Sequence, residues 1–461
     1  GDLDLTENLR VGPDYAHDAG FEPTLAWENE NGFQGMVELC HGCGGCRGPQ
    51  ATTGGVMCPT FRASREEVTA TRGRANLLRQ AMSGDLPEGE QFDVEFAHEV
   101  LDLCIGCKGC ARDCPSEVDM AKLKVEVANE HHRRHGASLR DRLFARIESA
   151  SALGSATAPL SNWLPRLPGA RLAMERVLGI ARDRELPTFH RRTLADWFEA
   201  RGGPSVPDDE ADRRALLYAD TYTNYNHPAA GKAAVRVLEA AGVHVELAPI
   251  ADSGRPPLSK GFVDRARETA RENVSVLAPR LRDGWDLVTV EPSDAVMFQS
   301  DYADLLGDES AARDGGDEVG TAGRDDVATV LAGSYGLCEY LDVHDLLEVV
   351  EFDSPPGTLT YHGHCHQKAL SKDGHAAAVL RAAGYEVDRL DSGCCGMAGS
   401  FGFEAEHFSM SAAIASILLE QLADSPGDEV VAPGASCRGQ IGQFGGEEPA
   451  HPVEKLAEAL R

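Results

Sequence analysis

CHGCGGC (residues 40–46) and CIGCKGCARDCP (residues 104–115) are the most informative stretches of this 461-residue chain. In each stretch three cysteines follow one another at intervals of three residues, and a further cysteine precedes a proline, at Cys58-Pro59 and Cys114-Pro115. The second stretch has the spacing of bacterial [4Fe–4S] ligands, in which the fourth cysteine ligates the other cluster. The pair therefore predicts two [4Fe–4S] clusters with exchanged fourth ligands. The predicted ligand sets are Cys40, Cys43, Cys46 and Cys114 for one cluster, and Cys104, Cys107, Cys110 and Cys58 for the other.

Zinc and disulfides are the alternatives for these cysteines. Zinc sites pair two Cys-x2-Cys hooks, but each stretch here has a third cysteine, which is too many thiolates for two separate tetrahedral sites. Disulfides suit small secreted domains, and this chain is long. The first stretch departs from the bacterial spacing, because eleven residues separate Cys46 from Cys58. Iron–sulfur clusters are the favoured interpretation for all eight cysteines.

The chain is strongly acidic. It has 44 Lys and Arg against 74 Asp and Glu, a net charge of −30, and only eight of the basic residues are Lys. Such a charge repels phosphates and argues against nucleic acid as a partner. Acidic surfaces with few lysines are typical of proteins from salt-loving organisms, where salt screens the repulsion between carboxylates. No apolar stretch reaches the length of a membrane span, and thirteen cysteines indicate metal or redox use in a reducing compartment.

Composition and hydrophobic periodicity divide the chain into five parts. Residues 1–36 are polar, and we expect an irregular leading segment. Residues 37–136 place the two cysteine stretches on loops between short helices, which predicts an α-helical ferredoxin domain. Residues 137–213 are rich in Ala, Arg, Leu and Pro and predict a helical connector. Residues 214–350 and 351–461 are predicted to be two α/β repeats.

Strands and helices alternate in both repeats. LEAAGVHVEL (residues 238–247) and LRAAGYEVDRL (residues 380–390) are close copies, and a strand is predicted before each copy, at 215–220 and 358–363. Alternating strands and helices imply parallel sheets with crossover helices. The expected fold class is therefore α/β with an N-terminal α-helical ferredoxin domain and duplicated parallel α/β cysteine-rich repeats in the C-terminal half.

The second repeat has four cysteines at strand ends or in the loops that follow: Cys365, Cys394, Cys395 and Cys437. Ligands of open α/β sheets bind beyond the carboxyl ends of the strands, so these thiols can converge on a soft metal centre. We expect an iron–sulfur cluster first and zinc second. The nearby histidines, His362, His364 and His366, are expected in a solvated loop or bonded to backbone. The first repeat has Asp252-Ser253 in place of the cysteine pair and is expected to hold no cluster.

Several longer stretches resemble one group of redox proteins. They are VELCHGCGGC (37–46), CPTFR (58–62), TRGRA (71–75), CPS (114–116), VDMAKLK (118–124), DSGCCGMAGSFG (391–402) and APGASCR (432–438). Together they resemble the C-terminal iron–sulfur half of fused FAD/iron–sulfur D-2-hydroxyacid dehydrogenases, which include D-lactate and D-2-hydroxyglutarate dehydrogenases. The chain is also similar to the iron–sulfur subunit of glycolate oxidase and to the C subunit of anaerobic glycerol-3-phosphate dehydrogenase. Its repeats resemble the B subunit of heterodisulfide reductase, although Gln440 stands where that module has its last cysteine.

The resemblance implies an oxidoreductase that acts on the CH–OH group of a D-2-hydroxy acid without NAD. It implies that FAD binds to a partner or an upstream domain, and that this chain passes electrons to a quinone or cytochrome acceptor and is not catalytic alone. A start at Gly1 fits a downstream piece of such a fusion. The alternative is a disulfide- or heterodisulfide-reducing module that acts at Cys394 and Cys395. The expected location is the cytoplasm, with peripheral association at the inner face of the cell membrane left open.

The charge generates a first prediction: this protein is stable and active only at high salt. At low ionic strength the Debye length grows, and repulsion between the carboxylates is poorly screened. The midpoint of thermal unfolding should rise between dilute buffer and molar KCl. A midpoint that does not depend on salt would contradict the prediction.

Overall fold

The computed structural model describes residues 20–27, 31–49, 55–82, 92–311, 323–353 and 357–461, with only the backbone at 308–311. Most of the predicted leading segment, residues 1–36, lies outside this part of the chain. Its last residues begin a helix, so the expected irregular structure is wrong there. Phe33 and Val37 are buried on one face of that helix, and the ring of Phe33 contacts that of Phe92 edge to face. This apolar face explains why the segment is ordered.

The N-terminal part consists of short helices, with the cysteine stretches between them. The helices are α1 (Gly32–Glu38), α2 (Pro59–Ser64), α3 (Thr71–Met82), α4 (Val94–Asp102), α5 (Gly109–Asp113) and α6 (Met120–His135). Aspartates cap the two helices that flank the second stretch. Asp93 accepts a hydrogen bond from the N–H of Phe96 at the start of α4, and Asp119 accepts two at the start of α6. These caps satisfy N–H groups that have no partner within the helix.

The connector is helical, as its composition predicts. It contains α7 (Leu139–Phe144), α8 (Ile147–Ala156), α9 (Leu160–Trp163), α10 (Ala170–Leu178) and α11 (Leu194–Ala200). Several apolar side chains of this segment are exposed, among them Leu153, Trp163 and Val177. No helix in the described part of the chain is long and apolar enough to cross a bilayer.

The first repeat is built on a four-stranded parallel sheet with the strand order β2-β1-β3-β4. Its strands are β1 (Arg213–Tyr218), β2 (Val243–Leu247), β3 (Trp285–Thr289) and β4 (Ser334–Gly336). Its helices are α12 (Thr221–Tyr225), α13 (Pro228–Ala240), α14 (Arg255–Ser259), α15 (Val263–Arg282), α16 (Pro292–Val296), α17 (Tyr302–Ala311), α18 (Arg324–Ala332) and α19 (Leu337–Val343). Strand β1 is central and pairs with β2 and β3, and its apolar residues are buried on both faces, as in a covered parallel sheet.

The second repeat has a smaller parallel sheet with the order β6-β5-β7. The strands are β5 (Thr358–Tyr361), β6 (Glu386–Arg389) and β7 (Glu429–Val431). The helices are α20 (Cys365–Ala369), α21 (Gly374–Ala382), α22 (Phe408–Ala423), α23 (Ala435–Gly445) and α24 (Pro452–Ala459). The prediction of parallel α/β structure is confirmed in both repeats. The first three strands of each sheet also share one order, as a duplication requires; the duplication itself stays a prediction.

Buried charged groups join the N-terminal helices to the second repeat. His407 contacts Asp102, at the end of α4, with 2.8 Å between Nε2 and Oδ2, and it contacts Glu404, with 2.9 Å between Nδ1 and Oε2. Burial opposes the charged form of His407, but the two carboxylates outweigh it and raise its pKa to about 9. Glu404 also accepts hydrogen bonds from Lys260 and lies beside Arg140, and its own pKa is lowered despite its burial.

This network generates a prediction for the pH dependence of stability. The pKa of His407 is higher in the folded protein than its ordinary value of 6.5, so its contribution is complete below about pH 6.5 and is lost as the pH rises through about 9. The shift corresponds to a loss on the order of 3 kcal/mol, at about 1.4 kcal/mol per pKa unit. The free energy of unfolding of the wild type should fall over this pH range, and that of His407→Gln should fall less.

A suitable control is His375→Gln. It removes a histidine that pairs with Asp342 within the C-terminal half, and it should retain the wild-type fall. An equal fall in His407→Gln would contradict the assignment to His407.

Candidate metal centres

The two cysteine stretches share a positive φ at two corresponding positions. The residue before the second cysteine has a positive φ in both, 80° at Gly42 and 63° at Gly106. The residue after it also does, 78° at Gly44 and 57° at Lys108. Glycine adopts this conformation without strain, whereas lysine rarely does. Lys108 is held there by a buried ion pair with Asp301 of the first repeat. The two stretches therefore share one turn geometry on either side of the second cysteine.

The first group of thiols surrounds a shallow cavity. This cavity is lined by Cys40, Cys43, Cys46 and Cys114, the four residues predicted to share a cluster, and Cys58 is not among its lining residues. Cys43 is exposed, while the other three are buried. The N–H of Arg72 donates to the Cys46 sulfur across 3.4 Å. This arrangement suits a cluster near the surface with one solvent-facing edge.

Cys58 lies between the two groups. The thiols of Cys58 and Cys46 are in contact, and the charge of Cys58 adds to the burial that raises the pKa of Cys107 and Cys110. The hydroxyl and the N–H of Thr71 lie 3.0 and 3.1 Å from the Cys58 sulfur. The hydrogen bond from Cys46 and the nearby Arg74 guanidinium lower the pKa of Cys58 to about 6, against the effect of burial. The two predicted clusters would therefore be neighbours.

The second group has no exposed thiol. Cys104, Cys107 and Cys110 are all buried, and the N–H of Met120 at the start of α6 donates to the Cys110 sulfur across 3.3 Å. Burial, followed by nearby negative charges, raises the pKa of Cys107 and Cys110. Without a cation, deprotonating these thiols would be costly. Their environment therefore fits a metal cluster that would compensate the thiolate charge.

The four cysteines of the second repeat come together at one place. Cys365 begins α20 after β5, Cys394 and Cys395 lie in the loop after β6, and Cys437 lies in the first turn of α23 after β7. Their thiols form a row of hydrogen bonds from Cys365 through Cys394 and Cys395 to Cys437. All four are buried. These thiols converge beyond the carboxyl ends of parallel strands, as the sequence predicts.

The second-repeat cysteines also pack against the second cysteine stretch. Cys107 belongs to the same buried cluster as these four cysteines, and the charge of Cys365 is the largest electrostatic contribution to the raised pKa of Cys107 after burial. The loop around Gly106 accepts a hydrogen bond from His366, with 3.2 Å between Nε2 and the carbonyl oxygen. The cysteines thus form one continuous series through the N-terminal domain into the second repeat.

The spacing of the sulfur atoms distinguishes a single ion from a cluster. A tetrahedral zinc ion with bonds of about 2.3 Å would place its sulfur ligands about 3.8 Å apart. Within the described residues, no three cysteine sulfurs lie within 4.8 Å of one another. A single zinc ion does not fit such open groups without rearrangement.

Gln440, which the sequence resemblance aligned with a cysteine, is fully buried. Its Oε1 accepts a hydrogen bond of 2.7 Å from Arg184, and its Nε2 donates to the carbonyl oxygen of Ser411 across 3.0 Å. Arg184 is itself completely buried, comes from the connector and lies close enough to Cys395 to interact with its charge. Sequence reasoning missed Arg184, since nothing in its neighbourhood distinguishes it from the other arginines of the connector.

The expectation of a solvated loop for the three histidines is wrong, because all of them are buried. The expected backbone contacts exist for two of them. His364 accepts a hydrogen bond from the N–H of His366, and His366 reaches Gly106. His362 instead contacts a side chain, with 2.6 Å between its Nδ1 and the Ser392 hydroxyl. The histidines therefore support the cysteine loops from inside the fold.

The corresponding strand ends of the first repeat hold carboxylates instead of thiols. Asp220, Glu291 and Asp294 are buried, and Asp294 accepts a hydrogen bond from the Ser253 hydroxyl. Burial and the charge of Glu291 raise the pKa of Asp220 to about 6. Glu291 also accepts a 2.8 Å hydrogen bond from the N–H of Ala435, at the start of α23. The first repeat thus supports the helix that carries Cys437.

A cavity of about 530 Å³ lies between the N-terminal helices, the connector and the two repeats. Cys107, Cys365 and Cys395 line one part of it. Apolar side chains from the connector line another part, namely Phe144, Ile147, Met174, Ile180 and Phe189. A molecule in this cavity could contact both the second-repeat cysteines and the second cysteine stretch.

Two known domain families match this chain. Residues 36–118 match the 4Fe-4S dicluster domain, and residues 359–442 match a cysteine-rich domain named CCG. The first match contains both cysteine stretches. The second contains all four cysteines of the second repeat.

Curated relatives match nearly the whole chain. D-2-hydroxyglutarate dehydrogenase of Escherichia coli K12 is 24% identical over 93% of this chain and 44% of its own length. The C subunit of anaerobic glycerol-3-phosphate dehydrogenase from the same organism is 29% identical over 81% of this chain and 91% of its own length. The glycolate oxidase iron-sulfur subunit, also from E. coli K12, is 23% identical over 92% of this chain and 94% of its own length.

The chain spans less than half the length of the D-2-hydroxyglutarate dehydrogenases that it matches. It spans most of the length of the other two relatives. The chain is therefore an iron–sulfur electron-transfer module with a 4Fe-4S dicluster domain and a cysteine-rich domain, and its homologues are D-2-hydroxyglutarate dehydrogenase, the C subunit of anaerobic glycerol-3-phosphate dehydrogenase and the iron–sulfur subunit of glycolate oxidase.

Proposed function

We propose that this chain carries electrons from a flavin to a quinone or cytochrome in an FAD-dependent, NAD-independent oxidation of a D-2-hydroxy acid of the D-lactate, D-2-hydroxyglutarate or glycolate class. The observation that carries the proposal is the continuous series of cysteine groups. Oxidation of a hydroxy acid releases two electrons, and bound iron–sulfur clusters would accept them one at a time. A flavin on a partner or a further domain would therefore stand between the substrate and this chain.

The order of the groups gives the proposed direction. The group of Cys40, Cys43, Cys46 and Cys114 lies nearest the surface, with Cys43 exposed, and would receive electrons from the flavin. Contact between Cys46 and Cys58 leads to the second group. Contact between Cys107 and the second-repeat cysteines leads to the proposed third centre, an iron–sulfur cluster or zinc. Only an iron–sulfur cluster could carry electrons further, because zinc has no redox chemistry.

The cavity supports a lipophilic acceptor at the far end. It adjoins the second-repeat cysteines and has apolar walls formed by the connector, as a pocket for a quinone ring and the start of its tail would need. The exposed apolar side chains of the connector, including Trp163, support peripheral association with the inner face of the cell membrane. A cytochrome acceptor would instead have to bind to the outer surface of the protein near the cavity.

The exchange of fourth ligands is tested by Cys114→Ser. The two cubane clusters together would bind about eight iron atoms. If Cys114 ligates the cluster of the first stretch, the variant should lose about half of them. The cluster held by Cys104, Cys107 and Cys110 should remain. Electron paramagnetic resonance of the dithionite-reduced protein, with iron analysis, distinguishes the two clusters.

The matched control is Cys338→Ser. Cys338 is a buried thiol in α19 of the first repeat and belongs to none of the proposed ligand sets. The iron content of this variant should therefore equal that of the wild type. Loss of the other cluster in Cys114→Ser would refute the exchange.

The electron path is tested by mixing the reconstituted chain with the flavin protein or domain that functions with it. Addition of D-lactate or D-2-hydroxyglutarate should bleach the cluster absorption, because the flavin can divide the electron pair between one-electron carriers. A short-chain quinone or a cytochrome, added next, should restore the absorption and identify the acceptor.

Bleaching by a hydroxy acid without the flavin protein would overturn this division of roles. A chain that stays oxidised with the flavin protein but is reduced by a dithiol would favour the disulfide-reducing module that the repeats also resemble.

A further inference from the structure

A group of metal-binding side chains lies outside the cysteine centres, where α4 and α6 pack together. His131 and His135 are one turn apart near the end of α6, and Glu95 lies in the first turn of α4. Histidines four residues apart project from the same face of a helix, and this spacing is used by zinc sites. The two helices bring the three side chains to one place.

The distances suit a single ion. Glu95 Oε2 lies 3.2 Å from His131 Nε2 and 3.8 Å from His135 Nε2, and all three ligand atoms lie within 4.8 Å of one another. A tetrahedral zinc ion with bonds of about 2.0–2.1 Å would place its ligands about 3.4 Å apart. The cysteine groups are too open for one ion, whereas this group needs only small side-chain adjustments.

The surroundings orient the ligands and leave access for an ion. The His131 ring stacks on that of His98, with centroids 4.1 Å apart and 18° between the planes. The His131 side chain is 17% exposed, and those of His135 and Glu95 are 49% and 59% exposed. An ion could therefore enter from solvent and keep water as a fourth ligand. The net charge of −30 also attracts cations.

A hydrogen bond from one histidine to Glu95 is the simpler explanation of part of this geometry. It accounts for the 3.2 Å contact of His131 with Glu95. It does not require the second imidazole nitrogen to approach the same carboxylate oxygen. Two imidazole nitrogens that converge on one oxygen form an arrangement that a shared cation would stabilise.

We propose that Glu95 Oε2, His131 Nε2 and His135 Nε2 bind one Zn²⁺, with water in the fourth position. The site would join the start of α4 to the end of α6. These two helices precede and follow the second cysteine stretch, since α4 ends at Asp102 and α6 begins at Met120. A zinc ion there would hold together the two helices that flank that stretch, without taking part in electron transfer.

The test uses the full chain with its iron–sulfur clusters reconstituted, so that zinc does not enter empty cysteine sites. After anaerobic dialysis against buffered Zn²⁺, the wild type should retain one more zinc ion per chain than His135→Ala or Glu95→Gln, at equal iron content. Zinc should raise the midpoint of thermal unfolding of the wild type, because an ion that binds only the folded state stabilises it. In molar KCl, where the carboxylates are already screened, Mg²⁺ at the same concentration should not, since it prefers oxygen ligands in octahedral geometry.

Two variants serve as controls. Glu99→Gln removes an exposed carboxylate one turn further along α4, and His190→Ala removes an exposed histidine of the connector. Both should bind zinc and respond to it as the wild type does. Equal zinc content in the wild type and both site variants, or a zinc-dependent rise that persists in them, would overturn the proposal. Because Glu95 is exposed, Glu95→Gln should fold even if His135→Ala does not.

Discussion

The packing of the second cysteine stretch against the second repeat is the contact on which the organisation of the molecule depends. Cys107 belongs to the buried cluster formed by Cys365 and the other second-repeat cysteines, and His366 reaches the carbonyl of Gly106. Within the N-terminal domain, Gly109 lets the second stretch lie close to the segment before Cys58, because a Cβ at Gly109 would lie 2.8 Å from Val56. Electron transfer between clusters requires closely spaced centres. The contact of Cys107 with the second repeat brings the cysteines of the 4Fe-4S domain next to those of the second repeat.

Buried ionic contacts hold the N-terminal domain against both repeats. Lys108 pairs with Asp301, which also accepts a 2.8 Å hydrogen bond from Arg255, and His407 joins α4 to the loop that follows the cysteine pair. Buried charges stabilise a structure only when they are paired and hydrogen-bonded. Besides contributing to stability, these pairs help to fix the relative position of the domains, because each is satisfied where the domains pack together.

The two repeats have similar parallel sheets but different residue types at their strand ends. The second repeat places thiols at its strand ends, while the first places carboxylates at the corresponding positions. Glu291 of the first repeat caps the helix that carries Cys437. Arg184 of the connector donates a hydrogen bond to the side chain of Gln440 on the same helix. The part of the molecule without thiols therefore orients and supports the part that has them.

The local features of this protein could be predicted from its sequence. The cysteine spacing predicted a 4Fe-4S domain, because ligand geometry in these loops depends on neighbouring residues. Hydrophobic periodicity predicted the parallel α/β structure, because side-chain period and burial are local properties. Contacts between distant residues could not be predicted. The neighbourhood of Cys107 and Cys365, the burial of His362, the role of Arg184 and the convergence of Glu95 with His131 all depend on how separate elements pack, and packing is decided by the complementary shapes and charges of surfaces far apart in the chain.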